Sequence, residues 1–385
     1  MKTVGIVTIH DICNFGSLLQ AFATQTIVDR LGYSSFIINY RYPNEYHLAK
    51  IRQQSPYATF KLPFCTRLRV ALYSRTKAKD VRLKKLNLFK SVQNTLLKQT
   101  MEYPNQESLT NNPPKFDIYL TGSDQVWNPR YMYSDLTYFL DFIHDVPKIA
   151  FSASFGTTNL TEGQKNIYRP LLGEYTDISL REQSGVHLVY DICGKESLCT
   201  CDPTLLLDGK EWSEIFHDKP LVEGEYILCY ILTYTANPYP YAATFLKHIQ
   251  KHLKKKVVIL DETGMYWMDL RYKSYQCYGP KEIINLFQNA SFVISSSFHG
   301  AAFSVIFRKN FYSLFPKGIN DERQESFLRT IGADNRFVRV GDSLPDFSTF
   351  EIKNWDDISI KLDAYRQKSI NYLSKALDDA AKITK

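Results

Sequence analysis

Hydrophobic and polar positions along the chain alternate between two periods. Val4-Gly5-Ile6-Val7-Thr8-Ile9 is a short apolar run rich in β-branched residues, as a buried parallel strand requires. After a loop from His10 to Gly16 the period becomes helical: Leu18, Phe22 and Val28, with Leu19, Ala23, Ile27 and Leu31 beside them, form one stripe that Gly32 stops. Phe36-Ile37-Ile38-Asn39-Tyr40 reads as the next strand, so the opening predicts a right-handed parallel βαβ unit. The same grammar gives strands at 116–120, 148–153 and 177–180 and a helix around 162–174, and Cys201 to Leu207 closes this half. A second series runs through strands at 226–232, 257–260, 292–295 and 311–314, with helices near 239–253, 281–289 and 301–307. A closing helix is expected from about Ser359.

Two such series predict an α/β chain of two Rossmann-like, doubly wound domains facing a cleft. The expected divisions are a first domain at 1–208 carrying a basic helical insertion at about 66–100, a charged linker at 209–224, a second domain at 225–345 and a closing helix region at 346–385.

Composition removes several classes. The 385 residues are 44% hydrophobic and 23% charged, which suits a globular chain and not a disordered one. No window approaches the ~18–20 apolar residues of a membrane span. The opening Met1 to Val7 has no cleavage-site pattern, so a cytoplasmic protein is expected. Seven scattered cysteines fit a reduced chain, and Cys199-Thr200-Cys201 has the wrong spacing for a zinc knuckle. His248 and His252 lie one helical turn apart, but without HExxH they read as a basic helix end. No metal site and no cofactor is expected, and neither the dinucleotide fingerprint nor the P-loop pattern occurs.

The charge is uneven. The chain carries a net +7, yet Arg67 to Lys98 holds ten Lys or Arg against Asp80 alone, a local +9 that leaves −2 elsewhere. This stretch reads as a solvated helix pair with Leu83, Leu86, Leu88, Phe89 and Val92 facing the body, or as a surface for anionic lipid at the inner face of a membrane. No recognised nucleic-acid motif accompanies it, so nucleic acid is not an expected partner.

Ligands of doubly wound sheets sit beyond the carboxyl ends of the strands. The polar residues predicted there are His10, Asn14, Ser123 to Gln125, Arg181, Glu182, Asp202 and Ser295 to His299. In Ser295-Ser296-Ser297-Phe298-His299-Gly300, small residues after a buried strand and a glycine opening a helix leave backbone N–H groups free for an anion. His299 would be placed there for proton transfer, or would act only as a capping donor. Asn14-Phe15-Gly16-Ser17 brings backbone close to a ligand or simply makes a tight turn. Gly122-Ser123-Asp124-Gln125-Val126-Trp127 sets hydrogen-bonding side chains beside an indole, which suits a sugar ring or a capped turn over a buried Trp. Arg181 is a fork for carboxylate or phosphate, or pairs with a neighbouring acid.

Taken in order, these residues resemble the polysaccharide pyruvyl transferase family over about residues 3 to 340. The landmarks are Thr8-Ile9-His10 through Asn14-Phe15-Gly16, Leu19-Gln20-Ala21-Phe22-Ala23, Gly122 to Trp127, Leu180-Arg181-Glu182, Asp202-Pro203-Thr204, Ser296-Phe298-His299-Gly300 and the segment from Arg323 to Arg336. The resemblance implies a GT-B-like fold and transfer of the pyruvyl group of phosphoenolpyruvate to a sugar or lipid-linked oligosaccharide of an exopolysaccharide or capsule, forming a cyclic ketal. It implies His299 as the catalytic acid/base. Donor contacts are expected from Arg181, Ser296, Ser297, Gly300, Arg308 and Arg323, and acceptor contacts from His10, Asn14, Gly16, Ser123, Asp124, Gln125 and Trp127. Some characterised members carry Arg two residues before this histidine, where this chain has Ser297; Arg181 is then the nearest candidate for the donor carboxylate. The alternatives are a nucleotide-sugar glycosyltransferase on the same architecture and a non-catalytic glycan-binding protein.

Overall fold

The computed structural model describes residues 1–45, 47, 78–132, 135–232, 240–260, 273–275, 278–317 and 321–384. One parallel sheet contains β1 (Thr3–Val7), β2 (Ser34–Tyr40), β3 (Gln99–Tyr103), β4 (Ile118–Thr121), β5 (Lys148–Ala153), β6 (Asp177–Leu180) and β7 (Leu198–Cys199), in the order β3-β2-β1-β4-β5-β6-β7. The other contains β8 (Tyr226–Tyr230), β9 (Lys256–Leu260), β10 (Lys273–Tyr275), β11 (Phe292–Ser295), β12 (Asn310–Phe315) and β13 (Phe337–Arg339), in the order β10-β9-β8-β11-β12-β13. Residues of β4, β5, β8 and β11 are buried throughout, as strands covered by helices on both faces must be. Strand order reverses between β1 and β4 and again between β8 and β11, and a crevice forms at such reversals.

The chain ends where it began. The helix Trp355–Ile383 buries Ile358, Leu362, Tyr365, Ser369, Leu373, Ala376, Leu377 and Ala380, a stripe at helical spacing. It lies against the first sheet, where Tyr372 donates to the Ala150 carbonyl at 3.0 Å and Tyr33 donates to Asp378 at 2.8 Å.

The structure adds detail to the sequence reading in four places. In the Cys201–Leu207 run, which β7 precedes, Pro203–Leu206 is a 3-10 turn in which Asp202 accepts from the Thr204 N–H at 3.0 Å. The charged 209–224 stretch contains the helix Gly209–Ile215, anchored by a fully buried Trp212 that donates to the Thr204 carbonyl at 3.0 Å. The helix at 301–307 starts earlier, at Phe298, which puts His299 in its first turn. Of the basic insertion, residues 66–77 lie outside the described residues; in the helix Ala78–Leu96, Phe89 is buried but Leu83 and Leu86 are 48% and 36% exposed.

Candidate active site

The loop after β1 is set by local capping. Asn14 closes the N-terminus of the helix Phe15–Arg30, its side-chain oxygen accepting from the N–H groups of Gly16 at 2.9 Å and Ser17 at 3.4 Å. Gln20, fully buried in that helix, donates to Thr8 Oγ1 at 2.8 Å and accepts from the Ser123 N–H at 3.1 Å, tying the loop after β1 to the loop after β4. Asp124 sits there at φ 69°, a left-handed conformation that aspartate tolerates better than most residues. Ser17 donates to its Oδ2 at 2.5 Å.

Chains from both halves meet at Asp202. Its Oδ2 accepts from Arg181 Nη1 at 2.6 Å and lies 3.4 Å from His299 Nε2, while Arg181 Nη2 is 3.6 Å from Asp124 Oδ1. The Arg181 guanidinium lies over the Phe298 ring at 4.7 Å. The His299 imidazole rests on Gly16, where an added Cβ would come within 2.0 Å of Nδ1. Gly300 serves a similar close approach, to Ser295 Oγ. Arg323, at the start of the helix Arg323–Thr330, is gripped by Asp321 at 2.8 and 2.5 Å. With its amide oxygen turned to that guanidinium, Gln125 accepts from Arg323 at 2.9 and 3.2 Å. Glu182 Oε1 accepts from Ser154 Oγ at 2.9 Å and the Phe155 N–H at 3.0 Å.

The site lies out of reach of bulk solvent: Arg181, Asp202, Glu182, Asp124 and His299 are all buried. Burial alone would push the Asp202 carboxyl up, but the charges of His299 and Arg181 outweigh it and hold it below the usual carboxylate range. Asp124 is held down likewise, by Arg181 and His299 against its own desolvation. Glu182 goes the other way: burial raises its pKa, and Arg181 and Arg323 only partly offset this. Arg181 Nε and Nη2, Glu182 Oε2, Ser184 Oγ and His299 Nε2 are buried without a hydrogen-bond partner among the described residues. Buried polar groups are normally satisfied, so this cluster has capacity for a polar ligand.

The sequence model for polysaccharide pyruvyl transferase matches residues 14–314, a span that includes His299, Arg181 and Asp202. The chain belongs to the polysaccharide pyruvyl transferase family. No curated protein matches it. Among solved structures, the UDP-GlcNAc 2-epimerase from Neisseria meningitidis bound to UDP-GlcNAc is similar at 12% identity, covering 99% of each chain with a TM-score of 0.51. The UDP-GlcNAc 2-epimerase from Methanocaldococcus jannaschii is similar at 9% identity over 94% of this chain and 92% of that one, with a TM-score of 0.50. At such identities the likeness speaks for the fold alone: two Rossmann-like domains facing a cleft, GT-B-like.

Within this pyruvyl transferase family member the expected site residues divide. His299, Gly300, Arg181, Arg323, Gly16, Ser123, Asp124 and Gln125 converge on the domain junction. Ser297 is buried at the head of the His299 helix and makes no side-chain cap. The hydroxyl of Ser296 is taken by the Leu232 N–H at 2.7 Å, and Asn14 is engaged as a cap. Three expectations fail. Arg308 follows the far end of the nine-residue helix Phe298–Ile306, roughly 13 Å from His299 along the axis, and pairs there with Asp356 at 3.4 Å. Trp127 cannot carry a sugar, being fully buried and stacked on Phe139 at 5.3 Å. His10 is buried between the Thr8 carbonyl at 2.9 Å and Asn39 at 3.3 Å, and burial lowers its pKa. Sequence reasoning passed over Asp321; its spacing two residues before Arg323 was the available signal. His248 and His252 stack on Phe347 at 4.9 and 4.1 Å.

Proposed function

We propose that this protein transfers the pyruvyl group of phosphoenolpyruvate to a sugar of a cell-surface polysaccharide precursor, closing a cyclic ketal over two hydroxyls. The observation that carries this reading is the unfilled hydrogen-bonding capacity around His299. The two open N–H groups of Arg181 suit the donor carboxylate as a fork. The donor phosphate would lie at the head of the helix Phe298–Ile306, whose first-turn N–H groups lack intrahelical acceptors and a side-chain cap. The acceptor sugar would approach from the loops after β1 and β4, past Gly16, Asp124 and Gln125.

In the proposed reaction, the first sugar hydroxyl attacks C2 and gives its proton to His299, whose imidazolium faces Asp202. Glu182, whose pKa burial raises, is the candidate donor to the methylene carbon. The C2–O bond to phosphate then breaks and the second hydroxyl attacks C2. Two hydroxyl protons are lost; one ends on the new methyl group and one leaves with phosphate. The scheme is redox-neutral and draws every atom from the two substrates, so it calls for no cofactor.

The test measures phosphate released from phosphoenolpyruvate in the presence of lipid-linked oligosaccharides, with the ketal detected by NMR. His299→Ala should cost ~10²–10⁴ in rate. Near-normal turnover by that variant removes His299 from the mechanism. Consumption of a nucleotide sugar with phosphoenolpyruvate inert would place the protein among glycosyltransferases instead.

A further inference from the structure

The helix Ala78–Leu96 packs against the helix Phe15–Arg30 of the first half and the helix Pro280–Asn289 of the second. Its inner side is accounted for. Phe89 is buried, Lys85 lies over the Tyr278 ring at 4.4 Å, and Leu88 packs so closely on Gly279 that a Cβ there would come within 2.9 Å. Gly279 opens the helix Pro280–Asn289, which follows β10; Tyr275 at the end of β10 pairs with Leu260 at the carboxyl end of β9. The contact therefore lies at the carboxyl edge of the second sheet, where the cleft opens.

The outer side is not accounted for by the fold. Arg82, Leu83, Leu86 and Lys90 fall at i, i+1, i+4 and i+8 and share one outward stripe, with Lys84 on its flank, about 100° further round than Leu83. Leu83 and Leu86 are exposed, and Arg82 and Lys84 have no ion-pair partner among the described residues. Two bare leucines set among cations make the pattern of a helix that lies in a bilayer interface. They sit in a stretch with a local charge of +9.

We propose that this face docks on an anionic lipid bilayer, with Leu83 and Leu86 entering the headgroup boundary and Arg82, Lys84 and Lys90 meeting the anionic headgroups. Charge complementarity selects this occupant over a second copy of the chain, whose identical face would bring like charges together. The cleft mouth would then lie beside the membrane, where a lipid-carried acceptor could reach it. The surface itself does not depend on which donor the enzyme uses.

Co-sedimentation with vesicles of phosphatidylglycerol and phosphatidylcholine in equal parts tests it, against vesicles of phosphatidylcholine alone. The wild type should pellet with the anionic vesicles at low salt and be released as the Debye length shrinks toward ~8 Å at ~0.15 M. Arg82→Gln with Lys84→Gln should weaken binding roughly 25-fold, at about fivefold per cation. Leu83→Ser with Leu86→Ser should weaken it roughly tenfold or more at unchanged charge. Both double variants should keep the wild-type melting temperature and the rate on a soluble acceptor. Failure of the wild type to pellet overturns the proposal, as does equal binding to neutral vesicles or wild-type binding by both variants. So does a leucine variant that changes oligomeric state in solution while still binding vesicles.

Discussion

Gly16→Ala probes the packing of His299 without replacing any titratable group. Gly16 lies in the first turn of the helix Phe15–Arg30, and a Cβ there would come within 2.0 Å of His299 Nδ1, 2.3 Å of Cγ and 2.5 Å of Cε1. Ordinary contact is ~3.5 Å, so the imidazole must retreat by about 1.5 Å or the two halves must part by a similar amount. Misplacing a catalytic group by ~1 Å costs on the order of 10² in rate. Overpacking costs about 1–3 kcal/mol of stability, whereas alanine in place of glycine would by itself favour the helix by up to ~1 kcal/mol. The two effects on stability oppose each other, which makes the result diagnostic. Phosphate release should fall about 10²-fold or more while the melting temperature drops or stays level. A variant that is more stable and turns over like the wild type would show that His299 does not work from this position.

Asp202→Asn leaves the Arg181 guanidinium buried against a neutral partner and should cost about 3–5 kcal/mol in denaturant unfolding at neutral pH. Because the Asp202 pKa is lowered by folding, wild-type stability from this group is present above ~3.9 and is lost as pH falls through the folded value. The variant should lack that acid limb; an equal deficit at all pH values would refute the assignment. Glu182 has the opposite sign: its raised pKa means the folded state holds the proton longer, so stability declines as pH rises from ~4.3 through the folded value. Glu182→Gln should abolish that decline and slow turnover, and a pH–rate profile unchanged in shape would count against Glu182 as proton donor. Trp127→Phe should leave the acceptor KM unchanged, while Trp127→Ala should lose about 3–5 kcal/mol of stability; a raised KM in the phenylalanine variant would return Trp127 to the sugar site.

What could be read from the sequence follows from how local each cause is. Strands β5, β6 and β11 were legible to the residue, because each is a short and almost wholly buried run held between polar turn segments. Strand β3 was not legible: Gln99-Thr100-Met101-Glu102-Tyr103 is a half-exposed edge with no apolar run. His299 stood out because small residues between a buried strand and a helix are a local pattern, but its partner Asp202 lies in the other half of the chain and is joined to it only by folding. Arg308 failed for want of direction: nearness in sequence to His299 becomes distance once a helix runs between them. Trp127 failed because the side chains that bury it, Phe139, Phe155 and Tyr175, come from other segments.

The balance of charge at the junction bears directly on how an anionic donor could be accepted. Four carboxyl groups, of Asp124, Glu182, Asp202 and Asp321, surround two guanidiniums, of Arg181 and Arg323. Fully ionised, this cluster would carry a charge of −2 and repel phosphoenolpyruvate. Glu182 is the group that can change that: burial raises its pKa, the Asp321 carboxylate adds to the rise, and its protonated form removes one negative charge from the cluster. Asp202 and Asp124 cannot take that part, since Arg181 and His299 hold both below the usual carboxylate range against their own desolvation. The carboxylates that touch Arg181 therefore fix its guanidinium in place, and the one carboxyl that burial pushes toward its neutral form is the one that lessens the negative charge an anionic donor would meet.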